Sequence, residues 1–554
     1  MPTHTPPAPP RVLPALITAL RADLTAARFT SGRIEELLGE VALGALRREN
    51  PVPARRILAT STDPAAVLAQ LFTLGVALPR PAVEAALPQL SVDGAAQLGL
   101  VCLGPISEGT GSTCTSPIPG ADGNLLVHPL LDLSPYSATD DAGEITWWIA
   151  SDLSELATGA ALHPEHVLGV GGASLTLARL TPRTPTGRVL DLGCGGGIQA
   201  LHASRHAEHV TATDLSERAL ADAAFTAALN GIDLDLRHGS LLEPVAGERF
   251  DLIVSNPPFV ITPRTADEDA SGGWTYRDGG RAGDTLLAEL LQDLPGHLAP
   301  GGRAVMLGNW EIPDVEDPFA HPTAWLQHAL ADGVDAWVIQ RESEDPAQYA
   351  ETWARDGGIT DRDPRWAELI TAWLEDFAAR NVTRIGFGYL LLHRPEDSQS
   401  PTPSADQPTA RSGAHTAPAR RGVLRTETVP GTGSGTLATH LAAGQDMIAR
   451  LATLSDEELL ASRLIRAEDL VERRHLTPGQ FDPMLIELVQ GAGLARTVPA
   501  DQLLAATVGA LDGTLTLGQV IGAVCALTDA DADAAQAQLL PQIRELLITG
   551  MVTL

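Results

Sequence analysis

The sequence of 554 residues contains no lysine, so arginine supplies all 38 of its basic side chains. Aspartate and glutamate together number 69, which gives a formal net charge of −31. A surface this acidic repels phosphate backbones at long range and disfavours a general nucleic-acid binder, although a small basic patch could survive on it. The absence of lysine also excludes a P-loop, because that motif needs a lysine at the phosphates.

Cysteine is scarce, and long apolar runs are missing. The four cysteines, Cys102, Cys114, Cys194 and Cys525, show no C-x-x-C spacing, so we expect neither a zinc site nor a disulfide framework. No apolar run approaches the length of a membrane span. The opening residues, MPTHTPPAPP, provide no basic region before the first apolar stretch, so we expect no signal peptide. These features predict no membrane contact and a cytoplasmic location.

The chain is too long for one core, and its pattern changes several times. Apolar residues recur first at helical spacing, then in short strand-like pieces, and then in alternating strands and helices. A Pro/Ser/Ala/Thr-rich stretch follows that cannot form a core. The last segment ends in the order helix, helix, short strand, which resembles a winged-helix unit. It contains 8 arginines and 16 acidic residues, and this balance favours packing or protein binding over DNA reading. The predicted parts are a helical domain (1–100), a strand-and-loop module (101–160), an α/β domain (161–395), a disordered linker (396–422) and a mostly helical, winged-helix-like domain (423–554).

Seven strand-like runs lie in the α/β domain. A helix between the second and third runs has a predicted cap at Ser216 and a stop at Gly231. This alternation predicts a doubly wound, Rossmann-like sheet of seven strands, in which ligands bind outside the carboxyl ends of the strands. The runs are RVLDLG (188–193), HVTATD (209–214), LDLRHGS (234–240), FDLIVSN (250–256), GRAVMLG (302–308), DAWVIQRE (335–342) and RIGFGYLLLH (384–393).

The first strand leads directly into a glycine-rich turn, VLDLGCGGGIQALHA, with the pattern D-x-G-x-G-x-G. Glycines let the backbone turn tightly and approach a ligand without an intervening Cβ. The next strand ends in Asp214, where an acid can accept both ribose hydroxyls of a nucleoside. The spacing differs from the G-x-G-x-x-G of dinucleotide folds. The pattern therefore indicates a cofactor with a nucleoside part but without the pyrophosphate of a dinucleotide.

This combination of motifs resembles the class I S-adenosylmethionine (SAM)-dependent methyltransferases, over roughly residues 161–395. The resemblance implies SAM as the cofactor, with the glycine turn beside its amino-acid part, Asp214 at its ribose and Asp191 steadying the turn and reaching the amino group through water. The family often has an acid at the end of the third strand that meets adenine. Ser240 stands near that position here and could offer a weaker hydrogen bond. The implied cofactor residues are Asp191, Gly193, Gly195, Gly197, Asp214 and Ser240.

A second motif, S-N-P-P-F, ends the fourth strand and so lies on the same sheet edge. A planar NH2 nitrogen is a poor nucleophile and needs both of its hydrogens held by acceptors. The side-chain oxygen of Asn256 and the backbone carbonyl of Pro257 can accept them, and the prolines hold that carbonyl stiffly. The ring of Phe259 can stack on a flat acceptor group. These three residues are the predicted catalytic residues, and the chemistry requires no metal.

The N-P-P-F/Y motif resembles the branch of this class that methylates amide or amino nitrogens, which includes release-factor glutamine, ribosomal RNA guanine-N2 and adenine-N6 methyltransferases. A protein glutamine, for example in a translation factor, is the favoured acceptor, because the acidic surface and the amino-terminal helical domain fit it better. A nucleobase in RNA or DNA is the alternative, since a phenylalanine suits base stacking. A non-enzymatic SAM-binding scaffold is a third reading, disfavoured by the intact acceptor motif. The oligomeric state stays open.

Several residues outside the two motifs are minor candidates. Aromatic and basic residues in the loop after N-P-P-F could line an acceptor pocket, and glycines before the first strand could cover the cofactor. Two residues at the end of the fifth strand face the same edge, while three scattered histidines show no metal spacing. The loop residues are Trp274, Tyr276 and Arg277, and the glycines are Gly169, Gly171 and Gly172. The residues at the end of the fifth strand are Asn309 and Trp310, and the histidines are His163, His166 and His238.

Overall fold

The computed structural model describes residues 6–105, 125–140, 142–159, 162–163, 165–263, 280–396 and 420–554. The chain divides into two compact units. The first comprises Met1–Leu175, Arg183–Leu290 and Pro346–Asn381, and the second comprises Thr176–Pro182, Leu291–Asp345 and Val382–Leu554.

Six α-helices and a π-helical turn (Ala69–Thr73) open the described part of the first unit, where the apolar residues recur at helical spacing. Their apolar faces meet in one core, in which Leu20, Phe29 and Phe72 are fully buried. Phe225 and Leu229, which come from much later in the chain, belong to the same core. The amino-terminal helices therefore share a core with the α/β part of this unit. They are α1 (Pro14–Ala26), α2 (Ser31–Leu46), α3 (Val52–Leu58), α4 (Pro64–Leu68), α5 (Arg80–Ala86) and α6 (Ser91–Gln97).

Two small antiparallel sheets are built mainly from the predicted strand-and-loop module, and one strand, β1 (Leu78–Pro79), comes from the predicted helical domain. β1, β2 (Val101–Pro105) and β3 (Leu125–Pro129) form one sheet in the order β1-β3-β2. β4 (Asp132–Asp140) pairs with β5 (Gly143–Ser151) in the other. Cys102 in β2 is disulfide-bonded, which the cysteine spacing does not predict, whereas Cys194 and Cys525 are free and buried. The short helices α7 (Glu155–Thr158) and α8 (Gly172–Leu180) follow.

Four parallel strands form the α/β part of the first unit, namely β6 (Thr186–Leu192), β7 (Ala207–Asp214), β8 (Asp235–His238) and β9 (Phe250–Ser255). Their order is β9-β6-β7-β8. The connecting helices are α9 (Ile198–Ala203) and α10 (Glu217–Asn230). The predicted ends of α10 are confirmed, since the Ser216 hydroxyl accepts a hydrogen bond from the Ala219 amide and Gly231 ends the helix with a φ of 71°.

The second unit carries the other three predicted strands, β10 (Leu298–Ile312), β11 (Asp335–Glu344) and β12 (Arg384–His393). β12 is antiparallel to both β10 and β11. Before β11 come the helices α11 (Thr285–Asp293), α12 (Ala320–Trp325) and α13 (Gln327–Ala331). The chain between β11 and β12 contributes a helix pair to the first unit, α14 (Pro346–Asp356) and α15 (Trp366–Ala379).

One strand from beyond the predicted linker joins the sheet of the second unit. β13 (Leu424–Thr428) pairs in parallel with β11, which adds a strand to the seven predicted. The buried Asp335 at the start of β11 anchors it. Its two carboxylate oxygens accept hydrogen bonds from Arg420 at 2.8 Å, and one of them also accepts from the Val423 amide at 2.7 Å.

The carboxyl-terminal part ends in the predicted order of helix, helix and short strand. Between residues 465 and 500, however, short strands occur that the sequence pattern does not predict, and three of them form an antiparallel sheet in the order β15-β16-β17. No helix in the described ranges is both long and apolar enough to span a bilayer. The elements are α16 (Leu437–Leu451), α17 (Asp456–Ala461), β14 (Ile465–Arg466), β15 (Leu470–Leu476), β16 (Pro483–Gln490), β17 (Thr497–Ala500), α18 (Gln502–Gly509), α19 (Leu517–Thr528), α20 (Ala532–Ile548) and β18 (Val552–Thr553).

Candidate active site

Strand register brings the two motifs to one edge of the sheet. Leu192, the last residue of β6, pairs with Ser255 in β9 and with the residue before Asp214 in β7. Gly193, Asp214 and Asn256, which follow these three positions, therefore lie at the same carboxyl edge, where ligands bind in such sheets. The Ser255 hydroxyl also links the two strands, because it donates a hydrogen bond to the Leu192 carbonyl at 2.8 Å.

The glycine-rich turn has a backbone that side chains would strain. Gly193, Gly195 and Gly197 have φ angles of 72°, 53° and 85°, in the left-handed region that favours glycine. A Cβ at Gly193 or Gly195 would meet no atom of the described residues within 4 Å. At Gly197 a Cβ would come within 3.1 Å of the Ala223 Cβ in α10. The first two glycines therefore border open space, and the third allows close packing.

Asp214 links this turn to the end of β7. Its carboxylate accepts hydrogen bonds from the Gly195 amide and the Ser216 amide, both at 2.8 Å. Burial raises the pKa of Asp214. The next residue, Leu215, is 66% exposed although it is apolar. An exposed apolar side chain thus lies beside the carboxylate. Because Leu215 directly follows the predicted acid, the sequence alone could have indicated this residue.

Asp191 lies buried behind the turn. Its carboxylate accepts a hydrogen bond from the Ala200 amide in α9 at 2.8 Å, which ties the strand to the helix after the turn. Burial above all, together with the nearby Asp214 carboxylate, raises the pKa of Asp191 to about 7. A cationic group bound here would stabilise the ionised form of both carboxylates. The open space and these two acids therefore fit a ligand with an ammonium group.

Two further segments border the turn. The Gly239 amide donates a hydrogen bond to the Asp214 carbonyl at 3.0 Å, so the half-buried Ser240 follows β8 at the same edge. A Cβ placed on Gly196 would lie 3.5 Å from the Ala150 carbonyl oxygen and 3.9 Å from that of Leu168. The segment that leads into Gly169 therefore passes beside the turn, in the region expected to cover the cofactor.

Asn256 carries an acceptor that no described residue satisfies. Its side-chain Oδ1 is buried and has no hydrogen-bond partner among the described residues. Leaving such an atom unpaired costs about 1–3 kcal/mol, so a ligand donor is a natural partner for it. Pro257 is buried, while Phe259 is half-buried beside a small pocket. Residues that line this pocket include Pro258, Phe259, Val260, Arg281, Asp284 and Leu287.

The chain just after N-P-P-F is held by two side chains of the helix pair. The Tyr349 hydroxyl accepts a hydrogen bond from the Ile261 amide at 2.9 Å, and the Trp373 indole N–H donates to the Ile261 carbonyl at 2.8 Å. All three residues are fully buried. The two aromatic residues lie 88 and 112 positions from Ile261, so no local pattern in the sequence could have indicated them.

Some of the minor candidate residues lie in surroundings that differ from those predicted. Asn309 and Trp310 do not end a strand, because β10 continues to Ile312. Both are fully buried, and the Trp310 ring packs where Gly386 in β12 leaves room for it. Trp310 is therefore a core residue. The loop candidates Trp274, Tyr276 and Arg277 lie outside the described residues.

Two of the scattered histidines meet a buried carboxylate. Asp152, His163 and His166 each place a potential metal-ligand atom within 4.8 Å of the others, a proximity that their spacing does not indicate. Arg218, however, donates to both carboxylate oxygens of Asp152. This guanidinium already balances the carboxylate charge, which disfavours a metal ion there. His238 lies near a backbone carbonyl, with Nε2 at 2.9 Å from the oxygen.

The strand order, the glycine-rich turn, the acid at the end of β7 and the N-P-P-F motif after β9 are together similar to those of class I SAM-dependent methyltransferases. Comparison with known families agrees. Residues 169–270 match the family described as Methyltransferase small domain. Residues 26–104 match a family described only as a domain of unknown function, which covers most of the amino-terminal helices.

Relatives with assigned names include proteins with both kinds of acceptor. A ribosomal protein uL3 glutamine methyltransferase from Bradyrhizobium diazoefficiens is 34% identical over 164 residues, which cover 28% of this chain and 51% of that protein. A ribosomal RNA small subunit methyltransferase C from Salmonella arizonae is 33% identical over 193 residues, covering 34% of this chain and 48% of that protein. The chain thus spans about half the length of these relatives.

Two of the solved structures similar to this chain are named methyltransferases. One is a T. thermophilus 16S rRNA N2 G1207 methyltransferase in complex with AdoMet and guanosine, at 21% identity and a TM-score of 0.23, covering 39% of this chain and 52% of that one. Another is a methyltransferase from Pyrococcus furiosus, at 16% identity and a TM-score of 0.23, covering 40% of this chain and 81% of that one.

Proposed function

We propose that this chain is a SAM-dependent methyltransferase that transfers a methyl group to a planar NH2 nitrogen, and that its acceptor is the side-chain amide of a protein glutamine. One observation carries the proposal, namely the buried Oδ1 of Asn256, which has no partner among the described residues and lies at the edge where the glycine-rich turn opens. A buried acceptor in that condition favours a ligand that brings an N–H donor.

The residues around the open turn fit the cofactor. When bound, SAM supplies a methyl group on a sulfonium centre. Asp191, with its raised pKa, would pair with the cofactor's ammonium group, and Asp214 would accept hydrogen bonds from the ribose. Leu215 would offer apolar surface to the base, and Ser240 would contact the adenine amino group. The glycines that leave room for the amino-acid part are Gly193, Gly195 and Gly197.

The acceptor residues act by orientation. Asn256 Oδ1 and the Pro257 carbonyl would each accept one hydrogen of the NH2 group, which frees the nitrogen lone pair for attack. The fixed φ of proline keeps that carbonyl in place at low entropic cost. Phe259 would stack on the flat amide. The nitrogen becomes more acidic as it is alkylated, so it can release its proton without a strong base, and positioning supplies much of the acceleration.

Charge and relatedness support a protein acceptor. With a net charge of −31, the chain repels nucleic acid and attracts basic proteins, a class that includes many ribosomal proteins. The relative from Bradyrhizobium diazoefficiens, named a ribosomal protein uL3 glutamine methyltransferase, carries the same chemistry in its name. We therefore propose a protein of the translation apparatus as the partner and the cytoplasm as the location. Residues 161–395 would be the catalytic domain within the five-part organisation predicted above.

A nucleobase is the second candidate acceptor, as guanine-N2 or adenine-N6 in RNA or DNA. The relatives named ribosomal RNA small subunit methyltransferase C favour it, as does the phenylalanine at position 259, whose ring suits base stacking. A SAM-binding scaffold without activity is less well supported, because it has no use for the acceptor motif.

Transfer of labelled methyl groups decides between these readings. Purified chain is incubated with tritium-labelled SAM and with either ribosomes or whole-cell extract from a strain that lacks the protein. We expect label that survives nuclease, disappears with protease and is recovered as methylated glutamine. Label that is lost with nuclease instead would replace the glutamine proposal with the nucleobase one. Absence of label from ribosomes, extract protein and nucleic acid would contradict the enzymatic reading.

A further inference from the structure

The N-P-P-F motif has only two backbone donors, the amides of Asn256 and Phe259. Pro257 and Pro258 have no N–H group, so the motif lacks two of the hydrogen bonds that normally fix a chain segment. Upstream, the motif is anchored at Ser255, through strand pairing and through its hydroxyl. Its downstream end lies beyond the end of β9, where Phe259 makes a single β-bridge, and a further anchor follows.

That anchor is Ile261, two residues after Phe259. Its amide and its carbonyl are both bound by side chains, the amide by the Tyr349 hydroxyl at 2.9 Å and the carbonyl by the Trp373 indole N–H at 2.8 Å. Side chains of one helix pair thus satisfy both backbone polar groups of Ile261. Buried backbone groups demand such partners, so loss of either side-chain group would leave an unsatisfied atom.

The two aromatic side chains are themselves rigid. Tyr349 and Trp373 are 0% and 1% exposed, and Ile261 is 0% exposed. The Tyr349 ring meets Phe377 of α15 edge to face, with 5.6 Å between ring centroids. Packing therefore fixes the positions of the hydroxyl and the indole N–H, and through them the position of Ile261.

We propose that the helix pair α14–α15 is a positioning element for methyl transfer. Tyr349 and Trp373 are positioning residues that hold Ile261 and thereby set where Asn256 and Phe259 stand relative to the cofactor site. The proposal rests on the proposed function, because it assigns the helix pair a task in that reaction. It predicts that loosening Ile261 slows transfer without weakening SAM binding, since the glycine-rich turn and Asp214 do not depend on this anchor.

The test compares matched single-group deletions. Tyr349→Phe and Trp373→Phe each remove one hydrogen-bonding group at Ile261. Tyr136→Phe and Trp148→Phe are the controls, because they remove a hydroxyl next to His202 (2.9 Å) and an indole N–H bound to the Phe29 carbonyl (2.7 Å), also in the first unit. Amide hydrogen exchange over residues 253–263, SAM affinity by calorimetry, and kcat with labelled SAM and ribosomes from the deletion strain are measured for all four variants.

For Tyr349→Phe and Trp373→Phe we expect faster exchange at residues 253–263, a kcat lowered about tenfold or more, and an unchanged Kd for SAM, because small misplacements of reacting groups are costly. The controls should share any loss of thermal stability but keep kcat and the exchange pattern. Equal kcat values in the Ile261 variants and controls, or unchanged exchange, would overturn the positioning role. If the wild type transfers no methyl group, the proposed function fails, and the exchange data alone then decide whether the helix pair holds the loop.

Discussion

The Gly195 amide donates a hydrogen bond to the Asp214 carboxylate at 2.8 Å, which joins the glycine-rich turn to the acid that ends the neighbouring strand. The same carboxylate accepts a hydrogen bond from the Ser216 amide, at the cap of α10. One side chain thus holds the turn, starts a helix and faces the ligand edge. The two parts of the cofactor motif form one hydrogen-bonded unit, so a change at Asp214 affects both.

Asp214→Asn should weaken SAM binding. The amide oxygen can still accept from the Gly195 amide, but the variant loses the charge that strengthens hydrogen bonds from ribose hydroxyls. We expect the Kd for SAM to rise by about tenfold or more, since hydrogen bonds to ionised acceptors are roughly twice as strong as neutral ones. Isothermal titration calorimetry measures it. Asp251→Asn is the control, because that carboxylate accepts from the Arg188 amide at 2.7 Å at the opposite end of the strands. Equal affinities in both variants would contradict a cofactor role for Asp214.

Asn256→Ala should abolish methyl transfer while SAM binding stays nearly intact. The variant removes the unpaired Oδ1 and with it one acceptor for the NH2 group, but leaves the turn unchanged. We expect kcat to fall by about a hundredfold or more, as for the loss of one oriented polar group in other active sites. Stability should fall less than in the control Asn230→Ala, which loses side-chain hydrogen bonds to both backbone groups of Trp148. A collapse of SAM binding in Asn256→Ala would show that the two motifs do not divide their tasks as proposed.

Asp191 should make the ligand-free protein less stable as pH rises. Burial raises its pKa to about 7, above the value near 4 of an unfolded aspartate, so the folded protein binds this proton more tightly. The resulting stabilisation is complete below about pH 4 and is lost as pH rises through about 7. Thermal unfolding midpoints measured across that range should therefore decline more steeply for the wild type than for Asp191→Asn. Parallel curves would contradict the raised pKa.

Asp222 provides an independent check on the same effect. Burial above all, together with the Asp152 carboxylate, raises its pKa to about 7 as well. Asp222→Asn should remove a similar part of the pH dependence, and the double variant with Asp191→Asn should remove both parts. SAM should reduce the contribution of Asp191 but not that of Asp222, because only the former is proposed to pair with the cofactor's ammonium group.

Local patterns explain why much of the site could be predicted. The turn at Gly193, Gly195 and Gly197 needs positive φ angles, which the sequence reveals directly as glycine. The ends of α10 follow from a hydroxyl cap and a glycine stop within the helix itself. Because β6, β7 and β9 are parallel neighbours, their ends share one edge, and this places Asp214 and Asn256 together.

Features that depend on distant contacts could not be read in the same way. Ile261 is held by Tyr349 and Trp373, which follow it by 88 and 112 positions in the chain. No periodicity in the sequence indicates contacts over such distances. The shared core of Phe225 with the amino-terminal helices looks, in the sequence, like an ordinary apolar helix face. β15 escaped prediction because LVERRHL is almost wholly exposed and lacks the alternation of a half-buried strand.

The Arg420–Asp335 ion pair should decide whether β13 stays on the sheet of the second unit. Asp335 is 2% exposed, and Arg420 is its charged partner at 2.8 Å. Arg420→Ala leaves a buried carboxylate with only the Val423 amide, and because the arginine is partly exposed we expect a loss of about 2 kcal/mol, below the value for a fully buried pair. The measurements are the thermal midpoint and amide exchange over β13 and β11, where exchange should rise selectively.

The neighbouring arginine offers a matched control. Arg421 is exposed, and its described side-chain contact is a hydrogen bond of 3.3 Å to Gln327. Arg421→Ala removes the same charge from the same stretch of chain, so it should leave the midpoint and the exchange of β13 nearly unchanged. If both variants behave alike, then strand pairing alone holds β13 and the ion pair contributes little. If only Arg420→Ala releases the strand, one buried carboxylate in β11 fixes where the chain returns to the sheet.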